Sequence, residues 1–255
     1  MPRRPDPGAV ACARRLLTRL QIRHAREIDI ELIAADQNIL VRRKPLQHEE
    51  GRLLRTKKAG ILNVSDAAYG SNKWRFVIAH EIGHFIRHPD NDNFAACTKG
   101  DLSNYLGTGR EPEANDFASE ILMPGSLFEK KCDRNRPSLK DVAELAGEFS
   151  TSLTATALRF LQFTYEPCAV VHSTGGLVDW VDWTLNFRLG IKKKTRLTER
   201  TFAGDLFANK HVADRASQVN GEDWSDSPWA SSVDLFEHSK MVSAKSVLTF
   251  LWHPA

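Results

Sequence analysis

Residues 76–89 read Phe-Val-Ile-Ala-His-Glu-Ile-Gly-His-Phe-Ile-Arg-His-Pro. His80, His84 and His88 recur at four-residue intervals, and Glu81 follows the first of them. On a helix, residues four apart share a face, so His80 and His84 can reach one ion together. Glu81 projects about 100° round the axis from His80. It is placed to reach a water held by that ion and not to coordinate it. A straight helix puts His88 ~12 Å along the axis from His80, whereas ligand bonds to zinc are ~2 Å long. His88 is therefore read as a surface or supporting residue, and the third ligand has to come from another part of the chain. The pattern thus demands a second element packed against this helix.

Residues 110–124, Arg-Glu-Pro-Glu-Ala-Asn-Asp-Phe-Ala-Ser-Glu-Ile-Leu-Met-Pro, supply one. Glu111 and Asn115 are four apart and share a helix face. With Glu111 on the metal, the Asn115 amide oxygen can accept a hydrogen bond from the free N–H of a liganding histidine. Glu113 lies about 200° from Glu111 and is the alternate ligand. Phe117, Ile121 and Leu122 form an apolar surface for packing on the first helix. Gly83, mid-helix, carries a penalty of ~1 kcal/mol relative to Ala, which points to close packing. Two histidines, a carboxylate and a neighbouring glutamate suit Zn²⁺ with an open position and an attendant general base. Mn²⁺ and Fe²⁺ suit the same donor set.

The remaining pattern predicts an α+β chain. Val10, Ala13, Leu16, Leu17 and Leu20 recur at helical spacing, and a short helix is expected over 29–35. Ile39–Leu46 reads as a strand. Glu50–Arg55 and Ala59–Ser65 read as a hairpin leading into the histidine helix, with Ser71 or Asn72 as its cap and Pro89 as its stop. Residues 90–110 read as a polar connection. Two helices with a break at Gly147–Ser152 fit a helix-turn-helix-like segment. From Cys168 the chain turns β-rich, with a Gly-Gly turn between strands and late strands at 231–239 and 246–253. Trp180 and Trp183 point to opposite faces of an extended strand. The basic run Lys192–Arg200 reads as a solvated edge.

Composition narrows the setting. The 255 residues carry a net charge of +3, which does not argue for a dedicated nucleic-acid binder. The would-be second helix of the helix-turn-helix has one Arg to grip phosphate, which also argues against DNA. Cys12, Cys97, Cys132 and Cys168 form no CxxC pair and read as reduced thiols of a cytoplasmic protein. There is no signal-peptide pattern and no apolar run near the ~18 residues of a membrane span.

The segments Ala-His-Glu-Ile-Gly-His-Phe-Ile-Arg-His and Glu-Pro-Glu-Ala-Asn-Asp-Phe-Ala-Ser-Glu-Ile-Leu-Met-Pro resemble the ImmA/IrrE-type metallo-endopeptidases, a zincin-like group. The likeness is most specific over residues 50–125. It matches His80 and His84 to the histidine ligands, Glu81 to the general base and Glu111 to the third ligand. It implies a zinc-dependent endopeptidase that cleaves a DNA-binding repressor of the helix-turn-helix, Xre type and so derepresses stress or mobile-element genes. Likeness to the radiation-response branch, which adds a GAF-like sensor domain, is partial. The group's use of an edge strand to hold extended substrate would fall to Ala59–Val64. The resulting layout is a disordered N-terminus at 1–7 and a zincin-like peptidase domain at 8–130, with a small sheet and the motif helix. A helix-turn-helix-like segment at 131–165 and a β-rich region at 166–255 follow. The other reading is a non-enzymatic regulator that binds a repressor or DNA on the same scaffold. The intact Glu81 favours the enzyme, because a binding module needs no base beside a metal. Tyr69, Tyr105 and His88 are the available donors for an oxyanion.

Overall fold

The computed structural model describes residues 3–56, 58–69, 73–89, 94–98, 100 and 108–254. The chain is mixed α+β and divides into two compact units. One holds residues 4–128 and 148–152; the other holds residues 1–3, 129–147 and 153–255.

The first unit begins with α1 (Pro7–Arg19) and α2 (Ile30–Asp36), followed by β1 (Ile39–Lys44), β2 (Glu49–Arg55) and β3 (Gly60–Ser65). A single helical turn, α3 (Asp66–Tyr69), leads to the motif helix α4 (Trp74–Arg87). Strand β4 (Phe94–Thr98), α5 (Arg110–Leu122) and the short α6 (Gly125–Phe128) complete it. Residues 3–7 depart from the disordered reading. Asp6 and Pro7 form a cap-and-first-turn pair: the Asp6 side chain accepts from the Ala9 amide, and the Asp6 amide donates to Asp116 Oδ2 at 2.8 Å. Cap and proline chemistry thus order a stretch whose composition alone suggests none. The candidate caps Ser71 and Asn72 lie outside the described residues; α4 ends at Arg87, one residue beyond which Pro89 follows His88.

The sheet order is β1-β3-β2-β4. Strands β2 and β3 form the expected antiparallel hairpin, with Leu53 opposite Leu62. Two features differ from the sequence expectation. Residues 94–98 of the supposed polar connection form β4, antiparallel to β2. Strand β3 is not an edge, because β1 pairs with it in parallel from Ile39–Gly60 to Lys44–Ser65. With both sides of its backbone hydrogen-bonded, β3 cannot accept an added strand. Alternation along β2 and β3 turns Leu53, Leu62 and Val64 into a core shared with Val77, Ile78, Ile82, Phe117 and Ile121. Helix α4 is therefore covered by the sheet and by α5, and Val77 to His84 are all buried.

The second unit carries a five-stranded antiparallel sheet of order β6-β5-β9-β8-β7. Its strands are β5 (Cys168–Thr174), β6 (Leu177–Trp183), β7 (Ser217–Asn220), β8 (Asp234–Ser243) and β9 (Ser246–Trp252). Gly175 (φ 57°) and Gly176 (φ 81°) make the β5–β6 turn, whose positive φ values suit glycine. Trp180 stacks on His172 with ring centroids 5.4 Å apart, while Trp183 packs on the opposite face against the core around Ala169 and Val171. Helices α8 (Leu153–Leu161) and α9 (Phe202–Phe207) belong to this unit, as does most of α7 (Leu139–Phe149). Glu237 is fully buried beneath α9. Its carboxyl accepts from the Ala203 amide, Ser239 Oγ and Trp224 Nε1 at 2.7–2.9 Å, and burial raises its pKa. Within the basic run, Lys192 pairs with Asp226, and Arg200 reaches Asp223 at 3.8 Å.

Candidate metal centre

Helix α4 presents His80 and His84 on one face, as the four-residue spacing requires, with their Nε2 atoms 3.0 Å apart. Helix α5 brings Glu111, in its first turn, against both. One oxygen, Glu111 Oε2, lies 3.1 Å from His80 Nε2 and 3.3 Å from His84 Nε2. The crossing is close because residue 83 is glycine. A Cβ there would stand 3.1 Å from Phe117 Cδ1 and 3.3 Å from Ala114 Cα. The three donor atoms form a triangle with edges of 3.0–3.3 Å. A tetrahedral ion with bonds of ~2.0–2.1 Å requires donors about 3.3 Å apart, so the set fits zinc. The adjacent imidazoles hold the Glu111 carboxyl well below the usual carboxylate range; the His80 bond contributes most, then His84, with burial opposing both. The carboxylate is therefore ionised, the form that could hold a cation.

The other nitrogen of each histidine is also engaged. His80 Nδ1 lies 2.9 Å from Asn115 Oδ1, which can only accept, so Nδ1 carries a hydrogen and Nε2 is the nitrogen left to face an ion. His84 Nδ1 lies 2.9 Å from His88 Nδ1, and His88 Nε2 lies 3.3 Å from Glu113 Oε2. Glu113, the alternate ligand of the sequence reading, stands outside the donor triangle. It accepts from Arg87 Nη2 at 2.8 Å, and that bond, ahead of His88, lowers its pKa. Burial lowers the His88 pKa, with Glu113 opposing. The end of α4 is held by Arg55, reaching from β2. Its guanidinium donates to the carbonyls of His88 (2.8 Å), Phe85 (3.0 Å) and His84 (3.4 Å) and lies 4.8 Å over the Phe85 ring. A buried cation at a helix C-terminus also meets the negative end of the helix dipole.

Glu81 is 1% exposed and turns toward the sheet side of the site. Its carboxylate, a His80 ring nitrogen and Cys97 Sγ of β4 all lie within 4.8 Å of one another. Strand β2 passes over it at Gly51, where a Cβ would lie 2.7 Å from Val77 Cγ1 and 3.4 Å from Glu81 Oε1. Neither residue sits in a motif; nothing in the sequence marks Cys97, whereas a glycine inside a strand signals a bulge or a close approach, and Gly51 has both. The oxyanion candidates fare differently. Tyr69 donates its hydroxyl to Glu31, and its pKa is pushed up to about 12, chiefly by burial. His88 is engaged behind His84, and Tyr105 lies outside the described residues.

A family model described as the IrrE N-terminal-like domain, Peptidase M78, matches residues 34–161, just over half of the chain and all of the donor set. The chain belongs to the Peptidase M78 family. No curated protein matches it. Among solved structures, a Mycobacterium tuberculosis transcriptional regulator is similar, with a TM-score of 0.62 and 16% identity over 97% of this chain and 76% of that one. That likeness speaks to the fold. The matched segment contains His80, Glu81, His84 and Glu111. Among the described residues, no helix is long and apolar enough to cross a membrane.

Proposed function

We propose that this Peptidase M78 member is a zinc-dependent endopeptidase of zincin-like layout that acts in the cytoplasm on a helix-turn-helix, Xre-type repressor. The observation that carries the reading is the convergence of His80, His84 and Glu111 to within 3.0–3.3 Å, with Glu81 at the next position on the same helix. A divalent ion bound there supplies Lewis acidity, acidifying water and polarising a peptide carbonyl. His80, His84 and Glu111 hold that ion, and Asn115 fixes the His80 ring. Glu81 takes the proton of the attacking water at its carboxylate and returns it to the leaving amine. Its burial beside Val77 and Cys97 keeps bulk water away from it.

An extended substrate is best accommodated along β4, which stands at the end of the sheet order and carries Cys97 beside Glu81. Backbone pairing there provides affinity independent of sequence, with side-chain pockets selecting the site. Direct DNA contact through α7 and α8 is disfavoured. The one basic residue of α8, Arg159, is 3% exposed, with its guanidinium on the Phe163 ring and bonded to Gln162. The second reading is a non-enzymatic regulator, a role suggested by the similar Mycobacterium tuberculosis protein being a transcriptional regulator. Co-expression with a helix-turn-helix repressor encoded beside the gene separates the two. Cleavage by the native protein, lost in Glu81→Gln with zinc still bound, supports the peptidase. Equal cleavage by both proteins removes Glu81 as base. No cleavage, with repressor captured intact, favours the regulator.

A further inference from the structure

The contacts behind His84 suggest a function for a residue that the His-Glu-x-x-His spacing leaves out. His84 and His88 face each other through Nδ1 atoms 2.9 Å apart. Two neutral imidazoles so placed share one hydrogen, so their tautomers are opposite: whichever ring donates from Nδ1, the other accepts there. Nothing within the pair chooses between the two states. Glu111 Oε2 stands equally close to His84 Nε2, at 3.3 Å, but with an ion held between them that nitrogen carries no hydrogen; on the other side Glu113 Oε2 lies 3.3 Å from His88 Nε2, and a carboxylate only accepts. His88 Nε2 then carries the hydrogen, and His88 Nδ1 presents a lone pair. His84 Nδ1 is left as the donor, and His84 Nε2 is left bare toward His80 Nε2 and Glu111 Oε2. Glu113 is itself tied by Arg87 Nη2 at 2.8 Å, and Arg87 by Asp6 Oδ1 at 3.0 Å.

We propose that His88 and Glu113 are positioning residues that set the tautomer and ring orientation of His84, as Asn115 does for His80. This rests on the metal-site reading above and extends it to how the site is made ready. Helix α5 then supplies the ligand Glu111 together with the determinants of both imidazoles, Asn115 directly and Glu113 through His88. His88 can serve because it lies beyond the helix end (φ −120°, ψ 63°), where the chain turns its ring back along α4. Arg55 holds that turn by its 2.8 Å bond to the His88 carbonyl.

The test uses the full chain, zinc and two readouts other than activity. Zinc affinity is measured by competition with a chromophoric chelator for wild type, His88→Phe and His88→Asn. Long-range ¹H–¹⁵N spectra of the histidines report the tautomers in the zinc-loaded wild type. Phenylalanine keeps the ring shape without an acceptor, and affinity is expected to fall about 10–100-fold, the usual effect of losing a ligand's supporting partner. Asparagine restores an acceptor at the δ position and recovers most of that loss. The wild-type spectrum shows His84 protonated at Nδ1 and His88 at Nε2. Equal affinity of wild type and His88→Phe overturns the inference, as does an asparagine variant as weak as the phenylalanine one, or a His88 protonated at Nδ1. A wild type that binds no zinc removes the metal-site reading itself and this inference with it, a result distinct from the other three.

Discussion

Replacing Gly83 by alanine sets two magnitudes against each other. Alanine removes a helix-propensity penalty of ~1 kcal/mol and so would stabilise an isolated α4. In the fold, its methyl would meet Ala114 Cα and Phe117 Cβ at 3.3 Å and Phe117 Cδ1 at 3.1 Å, against the ~3.5–4.0 Å at which carbon atoms pack best. Two of these atoms are fixed to the α5 backbone, so a rotamer change of Phe117 does not clear them. Overpacking of this kind costs about 1–3 kcal/mol, which leaves a net loss of about 1 kcal/mol. For a chain of this size that lowers the melting temperature by roughly 2–4 °C. Relief requires α5 to retreat by a few tenths of an ångström. Because Glu111 lies three residues before Ala114 on that helix, the donor triangle opens and zinc affinity falls as well. Thermal unfolding and chelator competition on Gly83→Ala measure both effects. A melting temperature raised by propensity alone, with unchanged zinc affinity, refutes the reasoning.

Two further outcomes are expected. Arg55→Met deprives the end of α4 of a buried cation bonded to three carbonyls and is expected to destabilise by about 2–4 kcal/mol, given ~1.5–3 kcal/mol for a charged hydrogen bond; denaturant titration measures it, and a loss below ~1 kcal/mol would remove Arg55 as the helix's stop. Burial pushes the Cys132 thiol up to about 12 and Cys168 well above its usual value, so neither forms thiolate at pH 8. In the native protein both resist iodoacetamide while the half-buried Cys12 reacts, and all four free cysteines react in denaturant, as peptide mass mapping will show.

The chemistry of the site was legible because it is periodic and local. Helical spacing alone places His80 and His84 together, offsets Glu81, and puts Asn115 one turn from Glu111. The same angle favours Glu111 over Glu113, and it is Glu111 whose carboxylate lies against His80 and His84. Axial rise separates His88 from His80 in the sequence, but its contacts with His84 and Glu113 are not visible there. Its ring turns back only after the helix has ended, toward a glutamate on another helix. Gly83 and Gly51 both carry a penalty inside their elements, but which neighbour each makes room for is visible only in the fold.

By itself, the sequence determined the motif helix, the second helix with its carboxylate and amide, the β2–β3 hairpin and the Gly-Gly turn. Each depends on residues within a few positions of one another. Tertiary structure alone decided that β1 covers the far side of β3, that β4 takes the end of the sheet, and that Cys97 stands beside Glu81. It also decided that Glu113 reaches His84 through His88. Strand order and contacts between helices depend on which distant backbones pair, and side-chain periodicity is blind to that choice.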